Sequence, residues 1–527
     1  MDLSDLSDLP PFHDRIGTNY APLAVEVAQI RQLLISPRSE IERIDHEIAQ
    51  LEARRLRLSA YVSAHETLLA PIRQLPLDII REIFIACMPK DQNAVMSAQE
   101  APLLLGRICS SWRAIALSTP RLWSSIHIAE PHDTIPQHVR EGCLQLVKTW
   151  LARSGGLPLS ISFHRFTSSG PSPFFDTIES FAPRWKHISL SGQTRIQLTR
   201  ADVPMLQSIE ILDYAGGDDP PETHDFFCGV GVRKISIGTH LDPIRLALPL
   251  SQLTSLSLNR PLDPYSVLPR TWNLSSSTAL NILAQCHSLR DCAISLSSGA
   301  DETVDVPSSV ELPLLASLRV SVRVRGESGF WQNDPLDRLL LPKLSSFALT
   351  GYCRGFVGVP FPTLLSTATK LKNVEIETML FSKETLGTFM GILPPRVQRL
   401  VVRQNIIGPS APILVDRDFL RLLTQPSEAV DGPGTRFIFP ALDTIELVYA
   451  AAFSDQELLH FIRARMEIHR LHRIRVKFDR YVEDDILPEL QSFIDEFGLD
   501  VSIEYRLSRD TYNPRDGLPN RFRAGYM

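Results

Sequence analysis

The sequence predicts an α+β chain in three parts: a coiled-coil-like N-terminal helix, a small three-helix unit, and a long α/β solenoid with a parallel sheet. Three observations predict it. A heptad-spaced apolar series interleaved with charge fills residues 37–70. Two amphipathic runs punctuated by proline lie between Leu75 and Trp123. From Trp185 onward the pattern apolar-x-x-apolar-x-apolar recurs eleven times.

Bulk properties narrow the function classes. With 527 residues, 44% hydrophobic and 22% charged, the chain has the make-up of a core-forming protein of several domains. A net charge of −6 offers no basic field for nucleic acid. The acidic start MDLSDLSDLPPF has no basic or apolar leader region, and no apolar run reaches the ~18 residues of a membrane span. The seven cysteines are scattered, which suits small hydrophobes in a reducing compartment. A cytoplasmic or nuclear protein is expected, with no cofactor, no nucleic-acid partner and no membrane partner.

Residues 1–20 read as disordered. A helical pattern runs from Ala21 to Ile35, and Ser36-Pro37 reads as a restart with serine as N-cap and proline in the first turn. Ile41, Ile44, Ile48, Leu51, Leu58, Val62 and Leu69 then fall on alternating steps of three and four, interrupted by Arg55 and His65. Two readings stand for residues 21–70: a coiled-coil homodimer through 37–70, or a lone amphipathic helix on the chain's own domain.

Leu75-Pro76 opens the next unit. Proline is tolerated at a helix start because the N–H it lacks has no partner there. Ile79, Ile80, Ile83, Phe84 and Cys87 recur at helical spacing until Pro89. After the polar stretch Lys90 to Ala101, the residues Leu104, Leu105, Ile108, Cys109, Trp112, Ile115 and Ala116 give a second amphipathic face. Thr119-Pro120 stops it, and Leu122-Trp123 adds two large apolar groups. A bare three-helix packing unit would account for these residues. Their order also resembles an F-box: a Leu-Pro start, an Ile-rich helix with Phe84, then Ile108-Cys109-x-x-Trp112-Arg113, Leu117 and a Pro120-x-Leu122-Trp123 ending. The layout of coil, F-box (71–125) and irregular repeats is similar to that of many fungal F-box proteins. The link Lys90 to Ala101 is longer than the usual F-box pattern.

The eleven repeat triads begin with Trp185-Ile188-Leu190 and end with Leu471-Ile474-Val476. Their middle residues are spaced by 21 to 45 positions, most by 21 to 29, the period of leucine-rich repeats. The last two apolar residues of a triad share one face of a strand, and the residue between them points away. One unit cannot bury that face; a stack can. The asparagine such repeats carry after the strand occurs only at Asn405, so an irregular leucine-rich-repeat-like solenoid over 126–506 stands beside a non-solenoid α/β domain with parallel strands. Asn259–Thr278 and Gln404–Pro440 read as loop insertions, and Gly326–Asp337 as a loop displaying Phe330 and Trp331. Ser454 and Glu457 make a capping box on what reads as the last helix, which leads into the basic residues Arg463, Arg465, Arg470, Arg473, Arg475 and Lys477. These form either a solvated face or a docking patch for acidic protein. The tail 507–527 reads as disordered.

No GxxxxGK[ST], HExxH, CxxC or GxSxG occurs, Gly229-Val230-Gly231 lacks a third glycine, and Cys286 with Cys292 lacks companions for zinc. His460, His469 and His472 read as surface residues. The F-box resemblance implies a non-catalytic substrate adaptor of an SCF-type cullin–RING ubiquitin ligase. The F-box would dock on a Skp-type linker that joins it to a cullin scaffold, and the repeats would hold an unidentified protein substrate. Linker-binding residues implied are Leu75, Pro76, Ile79, Ile80, Ile83, Phe84, Ile108, Cys109, Trp112, Leu122 and Trp123. The alternative is a repeat-based protein-binding scaffold with no ligase role, in which the Leu-Pro unit caps the repeats.

Overall fold

A computed structural model describes Phe12 and residues 15–69, 71–165, 171–192, 196, 198–212, 225–238, 246, 248–259, 274–297, 306–324, 334–353, 358–404, 413–428, 435–450 and 452–505. The expected tail 507–527, Asn405, and the pair Phe330 and Trp331 lie outside these. The chain divides into two compact units, Met1–Ile83 and Phe84–Met527.

In the first unit, helix α1 runs unbroken over Ala24–Leu68 with Pro37 inside it. The predicted restart is therefore absent. Proline removes one bond to the carbonyl of Leu33, but both residues are exposed, so water can take the orphaned acceptor. Residues 15–20, read as disordered, are tied to the helix start: Arg15 and Tyr20 both donate to the Glu26 carboxylate, at 2.8 and 2.7 Å. Helix α2, Leu77–Ala86, begins just after Pro76.

The second unit is organised by strands. In chain order they are β1 Ser125–Ala129, β2 Leu159–His164, β3 Trp185–Ser191, β4 Ser208–Leu212, β5 Lys234–Gly238 and β6 Ser255–Leu258. Next come β7 Asp291–Ser297, β8 Val310–Glu311, β9 Ser317–Val324, β10 Leu339–Leu340, β11 Ser346–Cys353 and β12 Asn373–Glu377. The last are β13 Arg399–Arg403, β14 Pro426–Glu428, β15 Thr435–Phe437, β16 Thr444–Ala450, β17 Arg473–Phe478 and β18 Asp500–Glu504. Among the described residues, fourteen of these form one sheet in strictly sequential order; β8 pairs with β10, and β14 with β15, outside it. Every pairing in the large sheet is parallel.

The register explains the repeat. Ile161, Ile188, Ile209, Ile235 and Leu256 are successive partners across neighbouring strands, and the same row continues to Ile474 and Val501. The second and third residues of all eleven triads lie on strands of this sheet and are buried, and in ten of the eleven the first residue sits just before the strand. Each such side chain contributes roughly 1.5–3 kcal/mol of burial. The connecting segments supply more core, including Trp150 of α5 (Gln137–Arg153) and Phe174 of α6 (Pro173–Glu179). Gly351 holds φ +110 in β11, where a Cβ would collide with the Val322 carbonyl of the adjacent strand.

Several expectations need correction. The amphipathic run Leu104–Ala116 is two helices, α3 Leu105–Ile108 and α4 Ser110–Leu117, because Cys109 is extended (φ −155) and its Sγ accepts from the Trp112 N–H. The polar link Lys90–Ala101 is anchored to the sheet: Ala94 is buried, its carbonyl accepts from the His127 N–H at 2.7 Å, and Val95 bridges to His127 on β1. Gln404–Pro440 carries helix α10, Arg417–Thr424, and the β14–β15 hairpin. The remaining helices are α7 Ser276–Leu283, α8 Pro362–Thr367, α9 Lys383–Ile392, α11 Asp455–Ile468 and α12 Leu487–Phe497. The Ser454–Glu457 capping box forms at the start of α11, but α12 and β18 follow it. No helix among the described residues is long and apolar enough to cross a membrane.

One buried polar cluster ties the early strands together. Glu130 follows β1 and Arg165 follows β2, and their side chains meet at 3.2 Å with both buried. Ser172 donates to Glu130 and caps α6 by accepting from the Phe175 N–H at 3.1 Å. Burial raises the Glu130 carboxyl, and the Ser172 hydroxyl and Arg165 oppose that rise. Ser172→Ala should cost about 1–3 kcal/mol in thermal or urea unfolding, since it removes a cap and a buried donor together. It should also push the Glu130 titration higher, readable by carboxyl-specific NMR.

Candidate functional site

The sequence-predicted residues separate by exposure. In the first unit, Leu75 and Ile83 are half-buried, Pro76 is exposed, and Ile79 is 45% exposed beside Leu77 at 47%. Ile80 is buried. In the second unit, Ile108 is 55% exposed, Cys109 is exposed, and Trp112 is half-buried. Leu104 and Leu117 are also exposed, although the first was expected on a core face.

Ile80, Phe84, Leu122 and Trp123, among the residues the resemblance implies for linker binding, are buried. Phe84 is fully buried and meets the Trp112 ring at 4.8 Å. Trp123 donates from Nε1 to the Ala116 carbonyl at 2.8 Å and packs edge-on against Trp150 at 4.9 Å. Arg113 donates to the Gly106 carbonyl at 2.8 Å, tying α4 to α3. These contacts pack Phe84 on Trp112, and Trp123 on α4 and on Trp150. Ile79 and Ile108 are left open to solvent. The exposed Cys87 and Cys109 depart from the expectation of buried cysteines, which holds for Cys286 and Cys292; burial raises both of those thiols.

The solvent face of the sheet is a second candidate surface, and its side chains alternate with the buried ones. On β2 to β6 it carries the hydroxyls Ser160, Ser162, Ser189, Ser236 and Ser257, with Glu210 and Lys234 among them. From β9 onward charged side chains predominate. A hollow of about 70 Å³ lies over Ala348, rimmed by Arg319, Asn373, Glu375, Arg399 and Val401. Glu375 pairs with Arg403 at 2.8 Å, and Arg399 with Glu446 at 3.0 Å. Arg319 is exposed and, among the described residues, has no ion-pair partner. Glu377, which accepts from the Gly351 N–H, has its carboxyl raised by burial, with that bond and Arg403 opposing. Sequence reasoning placed the residue between paired apolar positions on the outer face but did not read those residues as a surface in their own right.

Four of the six basic residues of the run after Ser454 are buried or ion-paired. Arg465 is buried, Arg463 pairs with Glu489 at 2.6 Å, Arg473 with Asp500 at 2.6 Å and Lys477 with Glu504 at 3.4 Å. Those acids sit on α12 and β18, the elements that follow the helix read as last. His460, His469 and His472 are exposed.

Fold and surface together define a class: a sequentially ordered parallel sheet preceded by a helical segment with large apolar side chains left open to solvent. No protein-family model matches the chain, and no curated protein matches it.

Proposed function

We propose that the chain is a substrate-recognition adaptor of an SCF-type cullin–RING ubiquitin ligase, with residues 71–125 as an F-box that docks on a Skp-type linker. Residues 126–506 act as an irregular leucine-rich-repeat-like solenoid whose open sheet face receives a protein substrate. The observation that carries the reading is exposure at the motif's own apolar positions. Pro76, Ile79 and Ile108 are open while Phe84, Leu122 and Trp123 are packed inside. Uncovered side chains of this size on short helices suit a partner surface. The adaptor makes and breaks no bonds; it raises the effective concentration of substrate lysines near the charged ubiquitin carrier.

A scaffold without a ligase has one observation in its favour: the Ala94-Val95 bridge to His127 closes the first edge of the sheet, as a cap would. Co-purification separates the two. Tagged full chain should retain a Skp-type linker and cullin, and an Ile79→Glu/Ile108→Glu variant, altered only at exposed positions, should lose at least tenfold of that binding with an unchanged melting transition. A folded wild type that retains no linker would leave the scaffold reading.

A further inference from the structure

Helix α1 keeps its heptad seam open. Leu34, Ile41, Ile44, Ile48, Leu51, Leu58 and Val62 are between 38% and 58% exposed along one 45-residue helix. A stripe this long needs a cover, and the flanking charges say which one.

With Ile41 as a and Ile44 as d, the a positions are Leu34, Ile41, Ile48, Arg55 and Val62, and the d positions are Ile30, Pro37, Ile44, Leu51, Leu58 and His65. The e positions are Arg31, Arg38, Asp45, Glu52, Ser59 and Glu66, and the g positions are Leu33, Glu40, Glu47, Arg54 and Tyr61. In a parallel dimer a packs on a and d on d, while g faces the next e of the partner. That would stack Arg55 on itself and His65 on itself. It would also set Glu40 against the partner's Asp45 and Glu47 against the partner's Glu52, each twice. Every acidic g position would meet an acid.

Reversing one helix changes this. In an antiparallel pair a packs on d, and e faces e and g faces g. Centring the pair between Ile44 and Ile48 sets Ile48 on the partner's Ile44, Ile41 on the partner's Leu51, Leu34 on the partner's Leu58 and Val62 on the partner's Ile30. Arg55 then lies against the partner's Pro37, where the seam has no long side chain to displace. Arg38 faces the partner's Glu52 and Glu40 faces the partner's Arg54, each twice by symmetry. Like charges meet only at the dyad, Asp45 on Asp45 and Glu47 on Glu47, and Arg43 already sits 3.3 Å from Glu47.

We propose that α1 joins a second copy of this chain in an antiparallel two-stranded coiled coil in this register. The fold supplies the stripe, and the e and g charges choose the direction. The inference is independent of the ligase reading.

Light scattering and sedimentation of the full chain test it. Wild type should be a dimer. Arg54→Glu should weaken dimerisation at least tenfold by opposing Glu40, and Glu40→Arg alone should do the same by opposing Arg54. The double variant Glu40→Arg/Arg54→Glu should return the wild-type dissociation constant. All three changes are on a solvated helix face, so circular dichroism should be unaltered. A monomeric wild type overturns the proposal. So does a dimer that Glu40→Arg tightens, which is the sign expected when Glu40 faces the partner's Asp45 in a parallel pair.

Discussion

Replacing Asp455 with alanine will destabilise the last third of the sheet by about 3–5 kcal/mol, the usual cost of removing one partner of a buried ion pair. Asp455 is fully buried at the start of α11 and is the hub of five hydrogen bonds. Arg480 donates to it from Nη2 at 2.8 Å and Nη1 at 3.3 Å, the N–H groups of Glu483 and Asp484 at 2.9 and 3.0 Å, and the Tyr505 hydroxyl at 2.9 Å. Alanine strands all of these donors, including a guanidinium that is itself mostly buried. Burial works to raise the Asp455 carboxyl, but Arg480 and the other donors outweigh it and hold it below the ordinary 3.8. A lowered folded-state value means the stabilisation is complete above the unfolded value. It is lost as pH falls through the folded one, so the acid limb lies below about pH 4. Asp455→Asn keeps the shape and removes the charge, and it should flatten that limb. Urea unfolding at pH 7 and pH 3 reads both effects; an Asp455→Ala midpoint equal to wild type at pH 7 would refute the assignment.

Arg465→Ala will cost a similar amount, about 3–5 kcal/mol, by a different route. This guanidinium is fully buried with no carboxylate beside it among its hydrogen-bond partners. It donates to three backbone carbonyls, Leu423 at 3.0 Å, Phe439 at 2.9 Å and Leu442 at 3.4 Å. Burial pulls its pKa down to about 10, so the fold bears part of the cost of a charge there. The charge is kept for its reach: one side chain on α11 satisfies acceptors from the end of α10 and from the turn before β16. Arg465→Met fills the space without donors. It should recover the cavity part of the loss, and hydrogen exchange should still report a loosened Phe439–Leu442 turn.

The same residues show what the sequence could and could not tell. The eleven triads found their strands because burial on a parallel sheet writes a local pattern. Trp123-Ile126-Ile128 is a further instance of the pattern, with Ile126 and Ile128 on the first strand, but Trp123 also ends the helical motif, and that role masked the other. At the far end, glycine occupies the triad's first position, Gly498, so Val501 and Ile503 carried no signal alone. Missing α12 and β18 hid the acids that pair Arg463, Arg473 and Lys477, because these ion pairs join residues 26 to 27 positions apart and leave no local trace. The break at Cys109 and the continuity through Pro37 were set by one thiol acceptor and by solvent at Leu33, neither of which periodicity encodes. At the candidate site, residue types were legible, and the division into buried residues such as Phe84, Leu122 and Trp123 and open ones such as Ile79 and Ile108 was not.

The strictly sequential order of the sheet has a mechanical consequence. Among the described residues, each interior strand of the large sheet is bonded only to the sheet strands that precede and follow it in chain order, so none is clasped by a distant one. Tension applied at the C-terminal side would peel β18, then β17, then β16, each release freeing a stretch of slack before the next ladder bears load. A force trace should be a staircase with step lengths set by strand spacing, longest where β13 gives way to β16, and the two clamps at Asp455 and Arg465 should mark its first high steps.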